Sequence, residues 1–222
     1  MQNGTLSAST VFDLIRPRSD FSGLTKAAKL QLVAFATIAS LGFAALWGAA
    51  AGSCVAALAI GNLVKVPLVL LLSALTAAPL GVVAWKLLGE ETSVTDLLIA
   101  HARGLLAGSV VLGTLVPIVA LYYHSSRFAG PLLADATAFA ALAVGVAVFM
   151  RLAMKAPGVH NKAVRIAVPS LMIALQGAAL LQLIALASPI LPDPTMFRNG
   201  VDGLVDNRAA SPSRPSVEAR GR

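Results

Sequence analysis

The sequence predicts an all-α protein: a polytopic membrane helix bundle with about five transmembrane helices and a cytoplasmic N-terminus. Of its 222 residues, 57% are hydrophobic and only 12% are charged, and the mean hydropathy is +0.81. Soluble domains carry about 25% charged residues, so water could not solvate the surface of such a chain. Long apolar stretches, each close to the ~20 helical residues that cross a bilayer, set the number of spans.

The chain divides into three parts. Residues 1–29 form a polar arm, residues 30–189 form the transmembrane bundle, and residues 190–222 form a polar tail rich in Pro, Ser and Arg. Low hydrophobicity predicts that this tail is disordered, and an odd number of spans places it on the non-cytoplasmic side. The predicted spans cover approximately residues 30–51, 66–88, 104–123, 131–152 and 166–188.

The first apolar run, Leu30 to Ile60, is longer than one straight span requires. We therefore expect Gly52–Lys65 to extend the helix or to lie at the interface, with a re-entrant turn as the alternative. Spans two and three contain Pro79 and Pro117, which predict kinks because proline removes a backbone hydrogen bond. A short polar elbow joins these two spans. The fourth span is followed by the most basic loop of the chain, and prolines end the fifth.

Loop charges set the orientation. On the side of the N-terminal arm, ten Lys and Arg residues lie in short loops or near span ends, against four on the other side. The ten are Arg16, Arg18, Lys26, Lys29, Lys86, Arg103, Arg151, Lys155, Lys162 and Arg165, and the four are Lys65, Arg127, Arg198 and Arg208. Because cytoplasmic loops carry the excess of positive charge, the arm is predicted to be cytoplasmic.

Composition excludes several functions. The net charge of +7 comes from scattered Lys and Arg residues with few aromatic residues between them, which does not fit nucleic-acid binding. Cys54 is the only cysteine, so a disulfide within the chain is impossible. No HExxH, GxSxG or P-loop motif occurs, and we expect the three histidines to lie in separate loops. We expect no metal, no cofactor, no catalytic residue and no enzymatic activity.

Two groups of polar residues are candidates for function. Asp135 and Gln176 lie within predicted spans, where ionisable and amide side chains are costly, and Arg127 in the preceding loop is a possible partner of Asp135. Hydration at the membrane interface is the alternative for Asp135, and helix packing is the alternative for Gln176. The second group is the elbow, a candidate partner-docking segment. Its members are Glu90, Glu91, Asp96, His101 and Arg103.

Small residues recur at four-residue spacing and predict close contacts between helix backbones within one bundle. These pairs are Gly48 with Gly52, Gly104 with Gly108, Ser109 with Gly113, and Ala141 with Gly145.

The phrases Lys65-Val-Pro-Leu-Val-Leu-Leu-Leu-Ser and Trp85-Lys-Leu-Leu-Gly89, followed by the elbow, resemble uncharacterised bacterial members of the Yip1-type membrane proteins. Five spans, a cytoplasmic arm and an opposite-side C-terminus are also similar. The resemblance covers residues 60–190 and implies a compact bundle that holds partners and has no catalytic residues. The acidic-aromatic phrase of eukaryotic members is not recognisable here, so their trafficking role is not carried over.

The sequence therefore predicts an integral protein of the bacterial inner (plasma) membrane that acts as a non-catalytic scaffold or accessory subunit. Its expected partners are the lipid bilayer and either another protein or further copies of itself. The alternative is a small transporter or permease subunit with a path past Asp135 and Gln176.

Overall fold

The computed structural model describes residues 23–88, 94–126, 129–155 and 162–191. Within these ranges the chain forms five α-helices. They are α1 (Lys26–Ala51), α2 (Ala56–Leu87), α3 (Val94–Ser125), α4 (Ala129–Met154) and α5 (Lys162–Ala187). All five are long and apolar enough to span a membrane. The predicted all-α membrane bundle is confirmed, whereas its orientation stays a prediction.

Successive helices run in opposite directions. At one end, which we call the entry end, Trp85, Leu97 and Val164 share a buried cluster with Ala153. These residues come from the last turns of α2 and α4 and the first turns of α3 and α5. At the other end, the far end, a second cluster joins Ala51 at the end of α1 to the end of α3 and the start of α4. The first and last helices therefore point the same way.

Helix contacts define the order around the bundle. α3 packs along both α1 and α4, whereas α2 packs along α1 and α5. A shorter contact between α4 and α5 closes the arrangement. The order is α5, α2, α1, α3, α4, and α5 is the helix with the least burial inside the protein.

Glycines allow a close approach between α3 and α4. A Cβ atom added to Gly108 would lie 2.7 Å from the carbonyl oxygen of Ala141, and one added to Gly104 would lie 2.9 Å from that of Gly145. The predicted small-residue pairs on the two helices thus face each other and form one seam. Such contact between backbones gives the dispersion energy that holds helices together in lipid.

Two helices begin about ten residues earlier than the predicted spans. α2 begins at Ala56 and continues through Lys65, so the segment Gly52–Lys65 forms the α1–α2 turn and the first turns of α2. α3 begins at Val94, and the described part of the elbow is its first turns. Pro79 and Pro117 lie inside continuous helices.

Candidate functional site

The structure describes only part of the predicted docking elbow. Glu90 and Glu91 lie outside the described residues. Asp96, His101 and Arg103 lie on α3 near the entry end, where four helices meet. Their contacts decide whether this segment could receive an external partner.

Asp96 bonds to the neighbouring helix α1. Its Oδ1 atom lies 2.7 Å from Nζ of Lys29, and the two side chains are 28% and 9% exposed, respectively. Hydrogen bonds between charged groups are stronger than neutral ones. The Asp96 carboxylate therefore fixes α3 to α1 and already has a partner within the protein.

His101 lies inside the bundle, where it contacts two other helices. Its Nε2 atom donates to Oε1 of Gln176 on α5, at 2.8 Å. Its ring also makes an edge contact with Phe149 on α4, with ring centroids 5.3 Å apart. The His101–Gln176 bond is the interhelical packing contact that the sequence offered as the alternative role for Gln176.

Arg103 is buried as deeply as His101, with 5% of its side chain exposed. Two of the three candidate docking residues on α3, His101 and Arg103, are therefore buried within the bundle, and Asp96 pairs with Lys29 on α1. A docking role for this part of the elbow stays a prediction.

Asp135 has a different environment. It lies on the exposed side of α4, six residues after the helix begins, and the structure gives it no hydrogen bond or ion pair among the described residues. His124, near the end of α3, is also exposed. Arg127, the predicted partner, lies outside the described residues, so its pairing with Asp135 stays a prediction.

Asp135 and Gln176 are not brought together. The seam that pairs Gly108 with Ala141 places Asp135 beside the part of α3 near residue 114. Gln176 instead bonds to His101, about 20 Å away along α3 at about 1.5 Å per residue. The two residues of the predicted path therefore lie at different levels, and Asp135 faces outward.

Asn62 is a polar residue at the far end that the sequence analysis did not single out. It is fully buried, and its amide donates to the carbonyl oxygens of Gly48 at 3.2 Å and Ile190 at 2.6 Å. Lys65 also donates to the carbonyl of Pro189 at 3.3 Å. These bonds fix the segment after α5 to α2. In the sequence, the feature that could have identified Asn62 is its position as an amide side chain within an otherwise apolar run.

A second interhelical bond at the far end links α1 to α4. Nε1 of Trp47 donates to Oγ1 of Thr137 at 2.9 Å, and that hydroxyl donates in turn to the carbonyl of Ala134 at 2.8 Å. Both side chains are buried. The bond therefore joins α1 to α4 inside the protein.

An open groove of about 400 Å³ lies between α2 and α5. Its polar side chains are Thr76, whose hydroxyl donates to the carbonyl of Leu72, and Gln182. The remaining lining is aliphatic, so the groove offers no set of groups for acid–base or metal chemistry. Within the described ranges, no three His, Cys, Asp or Glu side chains come together.

No protein-family model, curated protein or solved structure matches this chain. The resemblance to the Yip1-type proteins therefore stays a prediction.

Proposed function

We propose that this chain is a non-catalytic scaffold or accessory subunit of a membrane complex. The observation that supports it best is the use of the polar side chains at both ends of the bundle. Lys29 with Asp96, His101 with Gln176, and Trp47 with Thr137 each bond across two helices. Polar side chains used in this way hold helices in fixed positions.

A small transporter would require a different arrangement. Its path would be lined by polar groups at successive depths that face one common space. In the described bundle, Gln176 is occupied by His101, whereas Asp135 lies on the outer side of α4. This contrast supports a scaffold over the transporter alternative.

The outer surface of the described helices offers an apolar area for binding another protein. Large apolar side chains such as Ile38, Phe139 and Leu181 are exposed on three different helices. Lipid covers most of such a surface in a membrane, and the same surface accepts transmembrane helices of another protein. A scaffold needs only this surface and a stable bundle.

The experiment is purification of a tagged copy from its own host in a mild detergent, followed by mass spectrometry of the complex. We expect a second polypeptide in a fixed ratio to this chain. A detergent-stable monomer that carries no other polypeptide, prepared at several detergent concentrations, would contradict the proposal.

A further inference from the structure

The fold gathers positive charge at the entry end of the bundle. α1, α3 and α5 begin there and α2 and α4 end there, so charges from separate segments of the sequence meet at one end. In the described ranges the cations near this end are Lys26, Lys29, Lys86, Arg103, Arg151, Lys155, Lys162 and Arg165. The acid described among them is Asp96, which already pairs with Lys29. Toward the far end, the described ranges carry one charge of each sign, Lys65 and Asp135.

Part of this charge lies where α2, α4 and α5 meet. We call this group the basic junction, and its members are Lys86, Arg151, Lys155 and Arg165. Each lies within two positions of Trp85, Ala153 or Val164, which share one buried cluster. Nη1 of Arg165 also donates to the carbonyl of Met154 at 3.1 Å, which holds the first turn of α5 against the end of α4. The other three members of the junction are exposed.

The acids of the chain cannot neutralise this end. The sequence contains no Asp or Glu between Asp135 and Asp193, so the α4–α5 segment has no acid of its own near the junction. The segments that lead into the entry end carry ten Lys and Arg residues against five acids, which are Asp13, Asp20, Glu90, Glu91 and Asp96. Even if every one of these acids paired with a cation, five positive charges would remain.

Exposed apolar side chains stand beside the cations. Leu87, Met154 and Ile166, each adjacent in sequence to a member of the basic junction, are 80%, 44% and 52% exposed. A ligand that covers both kinds of side chain must offer negative charge and hydrocarbon together. A phospholipid does so, because its phosphate lies at the interface and its acyl chains extend along the helices. A soluble anion would leave the apolar side chains uncovered.

We propose that the basic junction binds the headgroup of an anionic phospholipid, whose acyl chains pack against the exposed apolar residues beside it. Each Lys or Arg near the headgroups strengthens the binding of anionic lipid by about fivefold. A lipid bound there contacts the ends of α2 and α4 and the start of α5, and so supports the short α4–α5 contact. The inference is independent of the proposed accessory function, because it concerns a lipid and not a partner polypeptide.

The test uses the purified full-length protein in detergent micelles. It is titrated with phosphatidylglycerol or with phosphatidylcholine of the same acyl chains, and bound lipid is counted by native mass spectrometry. We expect phosphatidylglycerol to bind about tenfold more tightly than phosphatidylcholine. Lys86→Gln combined with Arg151→Gln and Lys155→Gln removes the three exposed charges and should abolish this preference. The matched control is Lys65→Gln, toward the far end, which should keep the affinity for phosphatidylglycerol within about twofold.

Elution volume and helical content confirm that each variant is folded. If the triple variant does not fold, Lys155→Gln alone replaces it, and we expect about fivefold weaker binding of phosphatidylglycerol.

Equal affinity of wild type for the two lipids would overturn the proposal, as would an unchanged preference in the folded variant of the junction. A loss of affinity in Lys65→Gln as large as in that variant would also overturn it, because the effect would then not belong to the entry end. Free glycerophosphoglycerol is the last probe. If it competed as well as the intact lipid, the site would bind phosphate without acyl chains, and the proposal would again be wrong.

Discussion

His101 of α3 and Gln176 of α5 form a hydrogen bond of 2.8 Å, although these two helices do not pack along each other. The bond therefore joins parts of the bundle that are otherwise connected through α2 and α4. Because His101 is buried, loss of the Gln176 amide would leave a polar ring atom without its partner.

We expect Gln176→Leu to lower the free energy of unfolding by about 1 kcal/mol, the size of interhelical hydrogen bonds in membranes. The measurement is denaturation in mixed micelles, followed by circular dichroism. His101→Phe combined with Gln176→Leu removes both polar groups, so the double variant should lose less than the sum of the two single variants. Additive losses would show that the two side chains do not interact.

The Lys29–Asp96 ion pair should respond asymmetrically to substitution, since Lys29 is the more buried partner. Asp96→Asn keeps an oxygen acceptor but removes the negative charge that compensates a buried ammonium group, and it should lower stability by about 2 kcal/mol. Lys29→Met strands a partly hydrated carboxylate and should cost less. Lys26→Met, at an exposed position of the same helix, is the control and should have little effect. Equal losses for Asp96→Asn and Lys26→Met would argue against the pair.

The seam between α3 and α4 should not tolerate a methyl group. Gly108→Ala places a Cβ atom against the backbone of Ala141, so we expect a loss of about 1–3 kcal/mol through overpacking. Gly177→Ala is the matched control, because nothing lies within 4 Å of the added Cβ there. Thermal melting in detergent measures both. A Gly108→Ala variant as stable as Gly177→Ala would contradict the close approach.

Thr137→Val tests the bond that links α1 to α4. It keeps the side-chain shape but leaves the Trp47 indole N–H without its acceptor, so we expect a stability loss of about 1–2 kcal/mol. In a Trp85→Phe background, Trp47 is the only tryptophan, and its fluorescence reports the change directly. We expect the emission maximum of Trp47 to shift in Thr137→Val relative to the Trp85→Phe protein that retains Thr137. An unchanged spectrum together with unchanged stability would contradict the bond.

Hydropathy was sufficient to predict the number and type of helices. α2 and α3 begin about ten residues before the predicted spans, because a helix can continue past the residues that cross the membrane. Lys65 continues α2 since its ammonium group reaches the carbonyl of Pro189, and Arg103 continues α3 as a buried residue. Such charges depend on tertiary partners, which a count of apolar residues does not contain.

The candidate residues also have tertiary partners that the local sequence does not reveal. Gln176 was identified from its position in a span, but its partner His101 is 75 positions away and belongs to a segment predicted to be an exposed elbow. Asp96 was likewise assigned to external docking, whereas its partner Lys29 is 67 positions away. Pairing between distant helices depends on packing geometry, so sequence spacing alone could not supply it.

As an accessory subunit, this protein should have another polypeptide against the outer surface of its bundle. The most direct measurement is photo-crosslinking in intact membranes of the native host, from a photoreactive amino acid placed in separate variants at Ile38, Phe139 and Leu181, which are exposed on three different helices. We expect at least one of these positions to crosslink to a second polypeptide. Adducts to lipid alone at all three positions would contradict the proposed function.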